Sequence, residues 1–268
     1  MDWKNVVKSR KPQDLWFESH DCMIHAHQWN NEKENTVIFV HGAMANNVWW
    51  QPIAACIKAA NVLSIDLSGH GLSAWDETYS VQKHAKEIIN LIEKFSTGKV
   101  YIVGHSYGGT VSAYVASLIA VTKVIMVDTP LYFSRLRMPT FHKLPIYESI
   151  EKAVSRFIPI PKQPIADQVL LDWLARKSIR KVEGGYTWQF DPKSLDRSYS
   201  DEVIKDIKLA ISGKGVWLYG QHSPFATQKA LELAFDMQLN TEMIENAHHA
   251  VMLDAPMVLL EKLERVIH

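Results

Sequence analysis

A serine lies where a predicted β-strand turns sharply into a predicted helix. Residues 100–104 (VYIVG) form an apolar, β-branched run, and apolar side chains after Gly109 repeat at helical spacing. The sequence GHSYG, residues 104–108, lies between them. Such a turn has a strained backbone, so the positions two before and two after the serine must be small. The pattern predicts that the Ser106 hydroxyl stands above the end of a sheet, close to a helix N-terminus.

Strand-like and helix-like segments alternate along much of the chain. Five apolar runs are predicted as strands: 36–41, 62–67, 100–104, 124–128 and 216–220. Residues 81–95 and 111–119 carry apolar side chains at helical spacing. An antiparallel hairpin is predicted over 15–21 and 22–29, and a closing helix over 256–267 with Asp254 as its N-cap. These patterns predict an α/β fold whose mostly parallel central sheet is flanked by helices.

The alternation stops between residues 132 and 200. This region is divided into short pieces, several of them helical in pattern, by Pro139, Pro145, Pro159, Pro161 and Pro164. We interpret it as a mainly helical lid inserted into a core formed by residues 1–131 and 201–268. A long helical connection without a lid function is the alternative.

The amino-acid composition limits the classes of binding partner that we expect. Lys plus Arg equals Asp plus Glu at 29 each, so neither a nucleic-acid surface nor a polybasic membrane patch is expected. Two separated cysteines suggest no disulfide framework, and the N-terminus lacks the apolar segment of a signal peptide. The uncharged stretch 100–122 contains the GHSYG turn and is therefore not predicted to span a membrane. We expect a cytoplasmic protein; its oligomeric state is not predicted.

A second loop follows an earlier strand, in the sequence FVHGAM at residues 39–44. Glycine there lets the chain bend, so that the backbone N–H of Ala43 can face the serine. Together with the N–H of Tyr107 it would bind an oxyanion. Taken alone, His-Gly after a strand is typical of an ordinary turn.

The order of these motifs resembles the α/β-hydrolase superfamily, in particular its small, lid-bearing esterase-like and lipase-like members. The resemblance rests on the HG loop, the segment 66–73 (DLSGHGLS), the GHSYGG turn and a late histidine within 246–254 (NAHHAVMLD). It implies that Ser106 is a nucleophile and that the 66–73 loop, with His70, is structural. His249 takes the position of the general base, with His248 as the alternative.

The third member of the implied catalytic triad is less direct. In this superfamily the acid most often lies in a Gly-x-x-Asp pattern, but here that pattern reads GQHS over residues 220–223. Some members place the acid one strand earlier, which corresponds to Asp128. An aspartate that only caps its strand before Pro130 is one alternative, and Asp254 or Glu245 as the acid is another.

Other histidines and aromatics have weaker interpretations. His25 and His27 share a face of the hairpin, but no acidic or cysteine cluster is expected beside them, so no metal site is predicted. Aromatic side chains usually complete a core, yet a lid must also line a cavity. The residues predicted to line the substrate pocket are Met44, Trp49, Phe141, Trp173, Trp188 and His222.

The sequence thus predicts a cofactor-free serine hydrolase that cleaves a small-molecule carboxylic ester with a small-to-medium apolar acyl or aryl group. Alternatives on the same fold are a carbon–carbon bond hydrolase, a thioesterase and a cofactor-free dioxygenase. A ligand-binding or receptor protein with a vestigial triad is the alternative of another class.

Overall fold

The computed structural model describes residues 3–132, 143–195 and 199–267. Ten strands are described: β1 Gln13–Ser19, β2 Cys22–Trp29, β3 Thr36–Val40, β4 Asn61–Ile65, β5 Val100–His105, β6 Lys123–Val127, β7 Ile179–Val182, β8 Gly185–Trp188, β9 Val216–Gly220 and β10 Asn240–Ile244. The α-helices are α1 Trp3–Ser9, α2 Gln51–Ala54, α3 Val81–Phe95, α4 Tyr107–Leu118, α5 Ile150–Val154, α6 Gln168–Lys177, α7 Asp201–Ile211, α8 Gln228–Asp236, α9 Val251–Asp254 and α10 Pro256–Ile267. Short 3₁₀ helices cover Asn47–Trp50 and Pro192–Leu195.

Eight strands form one sheet in the order β1-β2-β4-β3-β5-β6-β9-β10. Strands β1 and β2 pair antiparallel, as do β2 and β4, whereas all later neighbours pair parallel. The prediction of an α/β fold with a mostly parallel sheet flanked by helices is confirmed. Because β-strands of a parallel sheet present their carboxyl ends at one edge, the loops after β3, β5 and β6 meet there.

Helices cover both faces of the sheet, which explains why the central strands are apolar throughout rather than alternating. Strands β3 and β4 are buried at every position. One apolar cluster joins one face of the sheet to α3, α4 and α7. A second cluster joins the other face to α2, α6 and α10.

The connection between β6 and β9, residues 128–215, holds the predicted insertion. It contains α5, α6 and α7 together with an antiparallel hairpin of β7 and β8. The hairpin was not predicted, because its residues lack an apolar run. After the hairpin, the Gln189 carbonyl accepts a hydrogen bond from the Gly71 N–H at 2.8 Å. The connection is therefore joined to the 66–73 loop of the core, and its role as a lid stays a prediction.

Several elements lie outside the sequence predictions. Strand β10 has the sequence NTEMI and is mostly exposed at the edge of the sheet, so it lacks the apolar run by which buried strands are predicted. The short helix α1 and helix α8 were also not predicted. Asp254 is not the N-cap of α10 but the last residue of α9. Within the described ranges no helix combines the length and apolar character needed to cross a bilayer.

Candidate active site

Ser106 occupies a strained turn between β5 and α4. Its φ is 51° and its ψ is −118°, a conformation that side-chain-bearing residues rarely adopt. A Cβ on Gly104 would lie 2.3 Å from the Gly108 carbonyl oxygen, and a Cβ on Gly108 would lie 2.4 Å from the carbonyl oxygens of Val40 and His41. Only glycine fits at these two positions, which is the physical basis of the sequence pattern.

The loop after β3 lies against this serine. A Cβ added to Gly42 would be 3.3 Å from the Ser106 Cβ. The His41 ring holds the loop in place, because Nδ1 donates to the Gly42 carbonyl at 2.7 Å while Nε2 accepts the Leu67 N–H at 3.1 Å. Across the described ranges, no acceptor is found for the Ala43 N–H. Tyr107 is the first residue of α4, so its N–H lies at the positive end of the helix dipole.

His249 and Asp128 are in direct contact although 121 positions separate them. Nδ1 of His249 donates to Oδ2 of Asp128 at 2.6 Å, and both side chains are buried. Asp128 follows the last residue of β6 and has a φ of 47°, which directs its carboxylate across the end of the sheet. The contact fixes the tautomer of the ring and leaves Nε2 as the basic nitrogen.

Two further donors hold the Asp128 carboxylate. The Gly220 N–H donates to Oδ1 at 2.9 Å, and the Ser223 hydroxyl donates to Oδ2 at 2.5 Å. Ser223, the last residue of the GQHS sequence after β9, thus binds the carboxylate supplied from the end of β6. Three hydrogen bonds therefore hold this buried carboxylate in place.

His248, the alternative base, contacts Asp254, one of the two alternative acids. Oδ2 of Asp254 accepts the backbone N–H of His248 at 2.7 Å and lies 3.1 Å from its ring Nδ1. Asp254 therefore holds the neighbouring histidine and not His249, and Glu245 is exposed. The Gln163 amide joins the same loop, since it donates to Asp254 at 3.0 Å and accepts the Ala250 N–H at 2.8 Å.

Two rings flank His249. Nε2 of His105 donates to the His249 carbonyl oxygen at 2.9 Å, and complete burial keeps the pKa of His105 well below its ordinary value. His105 is consequently a neutral hydrogen-bond donor beside His249. The Phe225 ring lies edge-on to the His249 ring, with 4.7 Å between centroids. Sequence reasoning missed Phe225, because only the contact in space distinguishes it from any loop aromatic.

The predicted pocket residues do not form one group. Trp49 and Trp188 both contact Phe157, at ring-centroid distances of 6.1 and 5.8 Å. Trp173 instead packs against Trp3 of α1 at 5.5 Å. The remaining three are Met44, with a φ of 60° in the loop after β3, His222, which is exposed beside His248, and Phe141, which lies outside the described residues. A pocket role for all six stays a prediction.

Behind the site, Asp66 organises the 66–73 loop. Its carboxylate accepts the N–H of Asn47 at 2.7 Å and that of Leu72 at 3.0 Å, and it lies 2.8 Å from Nδ1 of His25. Gly71, at a φ of 56°, leaves room for that carboxylate: a Cβ would lie 2.2 Å from its carbon. The loop thereby supports the segment that follows the Ala43 turn.

Glu87 of α3 gives the fold a pH dependence. Its buried carboxylate accepts the Ser68 N–H at 3.0 Å, and burial raises the pKa of Glu87 from about 4.5 to about 7. Between these values the folded state holds a proton that the unfolded state has released, so stability falls as the pH rises. Glu87→Gln cannot ionise. We expect its Tm relative to the natural protein to increase by several degrees from pH 4.5 to pH 8, measured by thermal unfolding; parallel curves would contradict the assignment.

The hairpin of β1 and β2 contradicts one prediction made from the sequence. The expectation that no acidic side chain accompanies His25 and His27 is wrong. Asp14 of β1 pairs in register with His27 of β2, and its Oδ1 lies 2.9 Å from Nε2 of His25. The pairing register of two strands brings this carboxylate in, and a linear motif search does not detect it.

Known proteins resemble the chain along most of its length. Residues 37–262 match the alpha/beta hydrolase family. Lipase LipV of Mycobacterium tuberculosis is 23% identical over 233 residues, which cover 82% of this chain and 87% of the lipase. Esterase Rv0045c of the same organism is 25% identical over 263 residues, covering 91% and 86% of the two chains.

Solved structures agree with the fold. The crystal structure of Rv0045c superposes with a TM-score of 0.80 at 19% identity, covering 99% of this chain and 96% of that one. A thioesterase domain from the curacin biosynthetic pathway superposes with a TM-score of 0.77 at 20% identity, covering 94% and 99%. The lipase and esterase relatives support hydrolytic activity. The match over 37–262, together with the sheet order and the turn at Ser106, shows that the chain belongs to the alpha/beta hydrolase family.

Proposed function

We propose that the protein is a serine hydrolase of carboxylic esters with a small-to-medium apolar acyl or aryl group. The observation that carries the proposal is the 2.6 Å contact between His249 and Asp128 at the sheet edge where the strained Ser106 turn also lies. A buried carboxylate that orients an imidazole next to a raised serine is the arrangement needed for nucleophilic acyl transfer.

In the proposed reaction the Ser106 Oγ attacks the ester carbonyl and Nε2 of His249 takes the hydroxyl proton. Asp128 stabilises the resulting imidazolium through Nδ1–H. The N–H groups of Ala43 and Tyr107 bind the oxyanion. The C–O bond to the leaving group then breaks, and His249 returns the proton to the departing alcohol. His249 then deprotonates a water molecule that attacks the acyl-enzyme carbonyl. The bond to Oγ breaks, His249 returns the proton to Ser106, and the carboxylic acid is released.

The apolar substrate class rests on the surroundings of the proposed triad. Phe225 lies edge-on to the His249 ring, and contacts among Trp49, Phe157 and Trp188 join the core to the β6–β9 connection. We propose that these rings form walls of the substrate pocket. Such walls suit a hydrocarbon group better than a sugar or a phosphate. The β6–β9 connection would then act as the lid over the site.

Labelling by a fluorophosphonate tests whether the serine reacts at all. We expect the folded protein to form one covalent adduct at Ser106, located by mass spectrometry of its peptides, and heat-denatured protein to form none. A folded protein that stays unlabelled would favour the ligand-binding alternative.

A series of p-nitrophenyl esters from acetate to laurate then tests the substrate class, with kcat/KM expected to peak at short or medium chains.

A further inference from the structure

The geometry points to a metal site on the N-terminal hairpin, separate from the proposed triad: a divalent transition ion of the zinc class, bound by Asp14, His25 and His27. Within the described residues these three side chains form the one group of histidine, cysteine and acidic side chains able to hold an ion. One ligand atom from each lies within 4.8 Å of the other two.

Strand geometry brings the three together. His25 and His27 are two residues apart in β2, so their side chains project from the same face of the sheet. Asp14 lies directly opposite His27 in the antiparallel pair, which puts its carboxylate on that face as well. Asp14 Oδ1 is 2.9 Å from Nε2 of His25 and 3.3 Å from Nε2 of His27.

The other nitrogen of His25 has the partner that metal-binding histidines require. Its Nδ1 lies 2.8 Å from Oδ2 of Asp66, whose side chain is 2% exposed. A carboxylate in this position accepts a hydrogen bond from Nδ1–H. The bond fixes the ring orientation and leaves the Nε2 lone pair for a metal. Asp66 is itself held by the N–H groups of Asn47 and Leu72, so the ligand is rigidly supported.

With Nδ1–H directed at Asp66, the Nε2 lone pair of His25 faces a carboxylate oxygen of Asp14. Two lone pairs at 2.9 Å repel unless a cation lies between them. A proton on Nε2 would satisfy that single contact. A metal ion would also use the His27 nitrogen, which is directed at the same oxygen.

The donor set selects the ion. Two imidazole nitrogens and one carboxylate suit Zn²⁺ and its neighbours, whereas Ca²⁺ and Mg²⁺ prefer oxygen donors only. Three protein ligands leave a position for water. Entry is open, because the side chain of Asp14 is 63% exposed, while Trp16 lies against His25 at a centroid distance of 4.7 Å and shields one side.

Titration of the tag-free protein with Co²⁺, followed by the visible absorption of the bound ion, tests the site. We expect one saturable equivalent that Zn²⁺ displaces. Asp14→Asn and His27→Gln should each weaken Co²⁺ binding by at least about 10-fold, since even supporting residues of metal sites cost that much. His20→Asn, an exposed histidine at the tip of the same hairpin, is the matched control and should bind like the natural protein.

A thermal readout keeps the test independent of activity. Zn²⁺ should raise the Tm of the natural protein and of His20→Asn by binding the folded state, and should not raise the Tm of the two ligand variants. Circular dichroism establishes that those variants fold. The proposal is overturned if the natural protein shows no saturable equivalent, because the cation between Asp14 and His25 is then a proton. It is equally overturned if the folded ligand variants bind Co²⁺ as tightly as the control.

Discussion

Ser106→Ala is expected to lower kcat for p-nitrophenyl ester hydrolysis by on the order of 10⁶-fold, the loss seen when the nucleophile of a serine hydrolase is removed. Without Oγ no acyl-enzyme forms, and His249 has no serine proton to accept. A φ of 51° is unfavourable for alanine, but it is equally unfavourable for the serine that adopts it. We therefore expect the variant to fold. Steady-state rates with a short-chain ester measure the effect.

Ser117→Ala is the matched control for this variant. It removes a hydroxyl from α4, the helix that follows Ser106, where Ser117 donates to the Tyr114 carbonyl at 2.7 Å. We expect its kcat to equal that of the natural protein. Ester hydrolysis that survives Ser106→Ala, in protein freed of other esterases, would remove Ser106 as the nucleophile.

The second large effect is expected from Asp128→Asn, which should lower kcat by about 10⁴-fold. The amide has nearly the shape of the carboxylate but carries no charge for the imidazolium. Its NH₂ group can also face Nδ1 of His249, which stabilises the wrong tautomer. Since binding of the ester does not use this side chain, KM should change far less than kcat.

Ser223 allows a sharper test of the same idea. Its hydroxyl lies 2.5 Å from the carboxylate oxygen that contacts His249, so an aspartate at 223 could approach the same ring. We expect Ser223→Asp to restore at least about 10-fold of the activity lost in Asp128→Asn, toward the scale of the triad acid's contribution. Ser223→Asn in the same background has the size without the charge and should restore nothing.

The outcomes separate two explanations. Rescue by aspartate but not by asparagine would mean that the charge beside Nδ1 matters and that its strand of origin does not. An Asp128→Asn variant with an unchanged rate would instead leave Asp128 as a strand-end cap and transfer the question to another group near His249.

Local patterns predicted the fold and part of the candidate site, for a physical reason. The glycines around Ser106 lie against backbone of the same turn or of the neighbouring strand, where a larger side chain would clash. The requirement for glycine therefore shows within five consecutive residues. The apolar runs of the central strands likewise follow from burial on both faces. Strand β10, half-polar at the sheet edge, carries no such signal.

Long-range contacts were harder to predict. Which carboxylate faces His249 depends on where β6 ends relative to the loop after β10, and no local sequence pattern records that distance. Asp14 was missed beside His25 and His27 for the same reason, because the register of β1 on β2 decides it. Phe225 has no sequence signal beyond its being an aromatic residue in a loop.

Gln163 gives the β6–β9 connection a consequence for engineering. This residue comes from the connection, yet its amide completes the hydrogen bonding of Ala250 and Asp254, which both follow the proposed base His249 in sequence. Replacing the connection with that of a relative is a common route to new specificity. Here it would also remove two hydrogen bonds from the loop of His249, unless the new connection carried a side chain of equal length and polarity. For the proposed hydrolase we therefore expect that an exchange of the connection alters the position of His249 together with the substrate range.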